Sequence, residues 1–132
     1  MRVRRSKVNQ SALSLPSFAK INWSLQILGR RPDGYHEVKT LLQTISLHDD
    51  LHFEVDELGG ISVSCDNPDI PSDDQNLIVR AASALKKQFD VKSGVRVRLQ
   101  KKIPAKAGLG GGSSNAAVSL LALTRLWSVR AS

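Results

Sequence analysis

AKAGLGGGSSNAAVSLLALTRLW, residues 105–127, places Gly108, Gly110, Gly111 and Gly112 directly before two serines and an apolar run. Glycine loses more conformational freedom on ordering than any other residue, so such a cluster needs a reason. A flexible linker is one reason. Another is a backbone that folds tightly around something, with its N–H groups turned towards it. The residues that follow favour the second. Ala116, Leu120, Leu123 and Trp127 recur at helical spacing, with Ala117, Leu121 and Leu126 widening that face, which predicts a helix over 114–127. Ser113 or Ser114 is its expected N-cap. Ahead of the glycines, Val95-Arg96-Val97-Arg98-Leu99 alternates as a strand does. The order is strand, glycine loop, helix N-terminus, and a helix start carries unpaired N–H groups and a partial positive charge. A phosphate group fits such a site. Lys101, Lys102 and Lys106 add charge at its edge. A plain glycine turn before a core helix is the alternative on these residues alone.

Two common phosphate loops do not match. A Walker A loop needs G-x-x-x-x-G-K-[ST], and no lysine follows a glycine at the required place. The dinucleotide fingerprint G-x-G-x-x-G fails because Ser113 stands where its last glycine belongs.

The chain has 132 residues, enough for one domain with a real core, and 41% of them are hydrophobic. No apolar run approaches the roughly 20 residues needed to cross a bilayer. No secretory signal is visible, since residues 1–10 are polar and no apolar segment follows them. The single cysteine, Cys65, excludes an internal disulfide and a cysteine metal cage, and no dedicated metal ligand is assigned. Cys65 falls on the apolar phase of Ile61 to Cys65 and reads as a buried structural thiol in a reduced, cytoplasmic setting. The net charge of +7 raises the question of nucleic acid. Its distribution argues against that partner: Arg2, Arg4, Arg5 and Lys7 cluster near the start, the other cations are scattered, and few aromatic residues interleave them.

Residues 1–15 read as a flexible basic leader and 16–132 as one domain. Ile21 to Ile27 alternates, predicting a strand with Ile21, Trp23, Leu25 and Ile27 on a buried face. Pro32-Asp33-Gly34 signals a turn. His36 to Leu47 suits a helix or a strand equally well. Leu51 to Val55 and Ile61 to Cys65 read as strands joined through Gly59-Gly60. Residues 76–89 read as a helix with Ile78, Ala82, Leu85 and Phe89 on one stripe. Strands and helices without strict βαβ alternation predict an α+β fold.

Four stretches, in order, carry a family resemblance. Phe18-Ala19-Lys20-Ile21-Asn22 resembles the P-A-K-x-N opening of the galactokinase, homoserine kinase, mevalonate kinase and phosphomevalonate kinase (GHMP) superfamily. Gly29 to His36 resembles the G-x-R-x-D-G-Y-H signature of one branch, which phosphorylates a cytidine-diphosphate-linked methylerythritol in non-mevalonate isoprenoid synthesis. Asn76 to Ala82 is similar to that branch's N-L-(I/V)-x-(R/K)-A-A segment, and Pro104 to Ala116 to its P-x-x-x-G-L-G-G-G-S-S-N-A loop.

The resemblance implies the GHMP-kinase N-terminal domain, a mixed or antiparallel sheet with helices packed on one face. It implies transfer of the ATP γ-phosphoryl group, with Mg²⁺, to the 2-hydroxyl of a small-molecule substrate. Pro104, Ala105, Lys106, Ala107, Gly108, Leu109, Gly110, Gly111, Gly112, Ser113, Ser114 and Asn115 would wrap the ATP phosphates, with Ser113 and Ser114 able to reach a phosphate or Mg²⁺. Asn76 would lie near the adenine and Lys101 near the nucleotide. Tyr35 would stack on the cytosine ring and His36 would hydrogen-bond its edge. Lys20 would act at the reacting centre, with Asn22 beside it. Lys106 departs from the branch, which usually has glycine there. The branch's catalytic aspartate lies in an L-G-A-D-x-P segment beyond the tryptophan that Trp127 matches. The expectation is therefore a truncated kinase, inactive alone, with apolar surface exposed. The alternatives are a non-catalytic nucleotide- or RNA-binding module of this architecture and another kinase of the superfamily.

Overall fold

The computed structural model describes residues 11–129. Its elements run β1 (Ala12–Arg30), β2 (His36–Asp56), β3 (Ile61–Cys65), α1 (Leu77–Gln88), β4 (Gly94–Gln100) and α2 (Gly111–Leu126). The sheet order is β1-β2-β4-β3. The β1–β2 and β2–β4 pairs are antiparallel, and β3 lies parallel to β4 with α1 as the crossover. The sheet is mixed and the class is α+β, as the order of elements predicts.

Alternation decides which face is covered. In β4, Val95, Val97 and Leu99 are buried while Arg96, Arg98 and Gln100 face solvent. Leu51, Phe53 and Val63 join the buried rows, which Ile78 and Ala82 of α1 and Ala122, Leu123 and Leu126 of α2 close from above. Each large apolar side chain buried there contributes about 1.5–3 kcal/mol. The opposite face stays polar, with Glu54 paired to Arg96 and Ser14 bonded to His52.

Beyond this base the sheet narrows to two strands. β4 pairs only with Asp50 to Asp56 of β2, whereas β1 and β2 pair on out to Arg30 and His36. The result is a β-hairpin arm whose tip is the Pro32-Asp33-Gly34 turn, closed by Gly34 N–H donating to the Arg31 carbonyl at 3.0 Å with Gly34 at φ 89°.

Several expectations change here. The first strand begins at Ala12, so Ala12 to Leu15 belong to the sheet and not to a leader, while residues 1–10 lie outside the described part. Trp23, Leu25 and Ile27, expected on a buried face, are 64%, 61% and 65% exposed. None of the described residues lies over the arm, and register shifts at Asn22/Ser24 and Ile27/Gly29 interrupt the two-residue period that the alternation presumes. His36 to Leu47 is strand throughout. In α1, Ile78 and Ala82 are buried, but Phe89 is the C-cap and 38% exposed.

α2 departs furthest. Its N-cap is Gly110, not Ser113 or Ser114, so the helix starts at Gly111. Its buried stripe runs Gly111, Asn115, Ser119, Ala122, Leu123 and Leu126, while Leu120 and Leu121 point outwards. The ground beneath its first turns is polar, so Gly111, Asn115 and Ser119 face it and Leu120 and Leu121 turn away, while Leu123 and Leu126 are buried as expected.

Candidate functional site

The glycine loop sits between β4 and α2 and lines a cleft of about 330 Å³. Gly108 and Gly110 both adopt φ 71°, the left-handed region where a Cβ is costly. At Gly110 a Cβ would also stand 3.0 Å from Cγ and Cε of Lys20, and at Gly111 it would stand 2.8 Å from Nζ of Lys101. These two glycines let the backbone close onto two lysines. Lys106 also lies at positive φ, 58°, and is exposed on the loop. No side chain caps α2, so its first-turn N–H groups, carried by residues that line the cleft, lack an intrahelical partner. The first helical bond is Ser114 N–H to the Gly110 carbonyl, 2.9 Å.

Lys20 joins the arm to this loop. Its backbone N–H donates to the Leu109 carbonyl at 2.9 Å. Its ammonium donates to Asn22 Oδ1 and to the Gly108 carbonyl, both at 2.8 Å. Asn22 is held in turn, its amide donating to Thr40 Oγ1 at 3.2 Å. Lys20, Asn22 and the glycine loop thus form one cluster.

Below the loop lies a polar keystone. Asp49 is fully buried and pairs with Lys101 Nζ at 2.6 Å, a lysine whose side chain is only 6% exposed. The other carboxylate oxygen of Asp49 accepts the N–H groups of Lys102 and Ile103 at 2.7 and 2.8 Å. Buried Ser17 donates to Ser114 Oγ at 2.8 Å. With its nitrogen facing the surrounding acceptors, the Asn115 amide donates to Asp49 Oδ2 and the Gly111 carbonyl, each at 3.1 Å. Asp49 and Ser17 escape a reading of the sequence, because their partners lie more than 50 residues away and no local spacing marks them.

The remaining candidates divide. Asn76, Lys101, the loop from Pro104 to Ser113, and Asn115 all line the cleft, joined by Ile70, Pro71, Gln75 and Leu77, which sequence reasoning missed. Asn76 caps α1, its Oδ1 accepting Ile78 N–H at 2.9 Å and its amide donating to the Pro71 carbonyl at 2.9 Å. Both its polar atoms bond the protein, which leaves one amide N–H beside the cleft that it walls. Tyr35 and His36 are not brought to the loop. They stand at the tip of the arm, ten residues along β1 from Lys20, or about 30 Å of strand. Tyr35 is 74% exposed.

A nucleotide's phosphates fit the N–H groups that the glycine loop and helix start present to the cleft, beside Lys20 packed on Gly110, whose left-handed φ disfavours any Cβ. Among the described residues no carboxylate lines the cleft, so a divalent cation would rest on phosphate oxygens and at most the Ser113 hydroxyl. A larger hollow, about 590 Å³, opens beside the sheet around Ser14, His52, Ser64 and Arg98, and contains no loop residue. On that face hydrogen bonds from His52 and then Arg96 hold the Glu54 carboxyl below its usual range. No helix among the described residues is long and apolar enough to cross a membrane.

A family model described as the GHMP kinases N terminal domain matches residues 76–132. The 4-diphosphocytidyl-2-C-methyl-D-erythritol kinase of Pelotomaculum thermopropionicum is 50% identical over 109 residues, covering 83% of this chain and 38% of that protein. The enzyme of the same name from Pseudomonas savastanoi pv. phaseolicola is 51% identical over 118 residues, 89% of this chain and 41% of its own. A crystal structure of 4-(cytidine 5'-diphospho)-2C-methyl-D-erythritol kinase superposes with a TM-score of 0.80 at 40% identity, over 91% of this chain and 42% of that one. The chain thus spans about two fifths of the length of the relatives it matches. With its mixed sheet, its two helices on one face and its glycine loop against Lys20, the chain has the fold of the GHMP kinase N-terminal domain and resembles the corresponding part of the 4-diphosphocytidyl-2-C-methyl-D-erythritol kinases.

Proposed function

We propose that the chain forms the nucleotide-binding part of a kinase that moves the γ-phosphoryl group of ATP to the 2-hydroxyl of 4-diphosphocytidyl-2-C-methyl-D-erythritol, in non-mevalonate isoprenoid precursor synthesis. One observation carries the reading: the Lys20 ammonium is pinned between Asn22 and the carbonyl of Gly108, with its stem packed on Gly110, where φ is 71° and a Cβ would stand 3.0 Å from it. Phosphoryl transfer asks a protein for positioning and for positive charge around the moving group. An ammonium has three protons to donate, and two of those on Lys20 are engaged with the protein. The third is left for an oxygen of the transferred group or of the acceptor hydroxyl. The first-turn N–H groups of α2 take the phosphates, and Lys106 adds a cation at the loop entrance. Mg²⁺, when bound, neutralises charge between the phosphates.

Tyr35 and His36 take the cytosine end of the acceptor: a π face beside a polar ring edge is what a pyrimidine offers and needs. The reading requires the bulged arm to bend and carry them towards the cleft, and bulges are where a strand bends.

Calorimetric titration of the chain with Mg²⁺ and ATP tests the nucleotide half of this reading. Saturable binding at one site is expected. Gly110→Val, which sets a branched carbon against Lys20 at positive φ, is expected to weaken it by about tenfold or more. Absence of saturable binding, or a folded Gly110→Val that binds like the parent, would overturn it.

A further inference from the structure

The glycine loop is anchored at both ends by one carboxylate. Asp49, fully buried near the middle of β2, accepts the N–H groups of Lys102 and Ile103, the last residues before the loop. Through Oδ2 it also takes Lys101 Nζ and the amide of Asn115, and that same amide donates to the Gly111 carbonyl in the first turn after the loop. Residues 104–110 are thereby strung between two points fixed to the same side chain. Lys101 completes the arrangement, since its Nζ lies 2.8 Å from where a Gly111 Cβ would stand, so the ammonium supports the helix start from beneath.

We propose that Asp49 is the positioning residue of the glycine loop. It touches no nucleotide; it sets the separation and orientation of the loop's two ends, and so the direction of the N–H groups that the cleft presents. Lys101 acts through this pair, as a strut, and not as a phosphate ligand. The consequence for nucleotide binding rests on the kinase reading, whereas the effect on the loop does not.

The test uses the full chain and the double variant Asp49→Asn with Lys101→Gln. Asp49→Asn alone would leave a buried ammonium without its counter-charge, which threatens the whole fold. The double variant removes both charges and keeps an oxygen for the N–H groups of residues 102 and 103. It abolishes the strut and turns one amide donor towards the Asn115 donor.

Two readouts are taken: amide hydrogen exchange, and titration with Mg²⁺ and ATP. Exchange is expected to rise about tenfold across residues 104–114 while α1 and β3 keep their protection. ATP affinity is expected to fall about tenfold. Unchanged exchange in the loop overturns the inference. So does loss of protection spread evenly over the chain, because Asp49 would then be part of the general core. A loop-confined rise together with no ATP binding by the parent chain leaves Asp49's role intact and refutes the kinase reading. Loosened loop exchange with parental ATP affinity overturns the link between loop order and binding.

Discussion

Cys65 closes β3 with its sulfur half-buried, accepting the N–H of Asn67 at 3.5 Å. Burial is the leading cause that pushes its thiol up from the ordinary value, and Asp66 adds to it. A raised pKa means that the folded chain favours the neutral thiol. The resulting stabilisation is full below the unfolded pKa and is lost as the pH climbs through the folded one. Alkylation of Cys65 by iodoacetamide should therefore run slower in the folded chain than in urea, with its rate–pH profile displaced to the alkaline side. Matching profiles in the two states would contradict this. Single residues were legible where chemistry is local. The glycines declared themselves by type and spacing, whereas Lys20 and Asn22 stood out only through the family resemblance. Asp49 did not, because an aspartate in a run of histidine and aspartate looks like solvated strand until β4 brings Lys101 across the sheet.

Among the elements, the junction of β3 and β4 is the least forgiving. A Cβ on Gly94 would lie 1.9 Å from the Gly60 carbonyl oxygen, which already accepts the N–H of Val95 at 2.9 Å. The carbonyl of Gly94 also accepts Trp127 Nε1–H at 3.1 Å, tying the end of α2 to the sheet. Gly94→Ala should cost about 1–3 kcal/mol or more, read as a lowered urea midpoint, because backbone must give way on both sides. An unchanged midpoint would refute this close approach. β4 and α1 were readable because each buries an apolar face against a complete neighbour. The arm was misread because bulges break its two-residue period and none of the described residues covers its apolar side chains. α2 was misread at Leu120 and Leu121, not at buried Leu123 and Leu126, because its first turns rest on Asp49 and Ser17 and need Gly111, Asn115 and Ser119 there instead.

At the scale of the molecule, a packed base of sheet and two helices holds the glycine loop, and a two-stranded arm extends from it with Trp23, Leu25, Ile27, Leu41 and Leu42 exposed. Isolated hairpins are marginally stable, so the arm is the element most free to change its path relative to the base. The cleft and the arm meet at Lys20, whose backbone bonds the loop and whose side chain bonds both. A kinase needs that junction to receive phosphates. The most direct measurement is a titration of the isotope-labelled chain with Mg²⁺ and ATP, followed through its backbone amide resonances. The prediction is a saturable response concentrated on residues 106–113 and on Lys20. Saturable shifts gathered instead around Ser14, His52 and Arg98 on the far side of the sheet, or no saturable shifts at all, would contradict it.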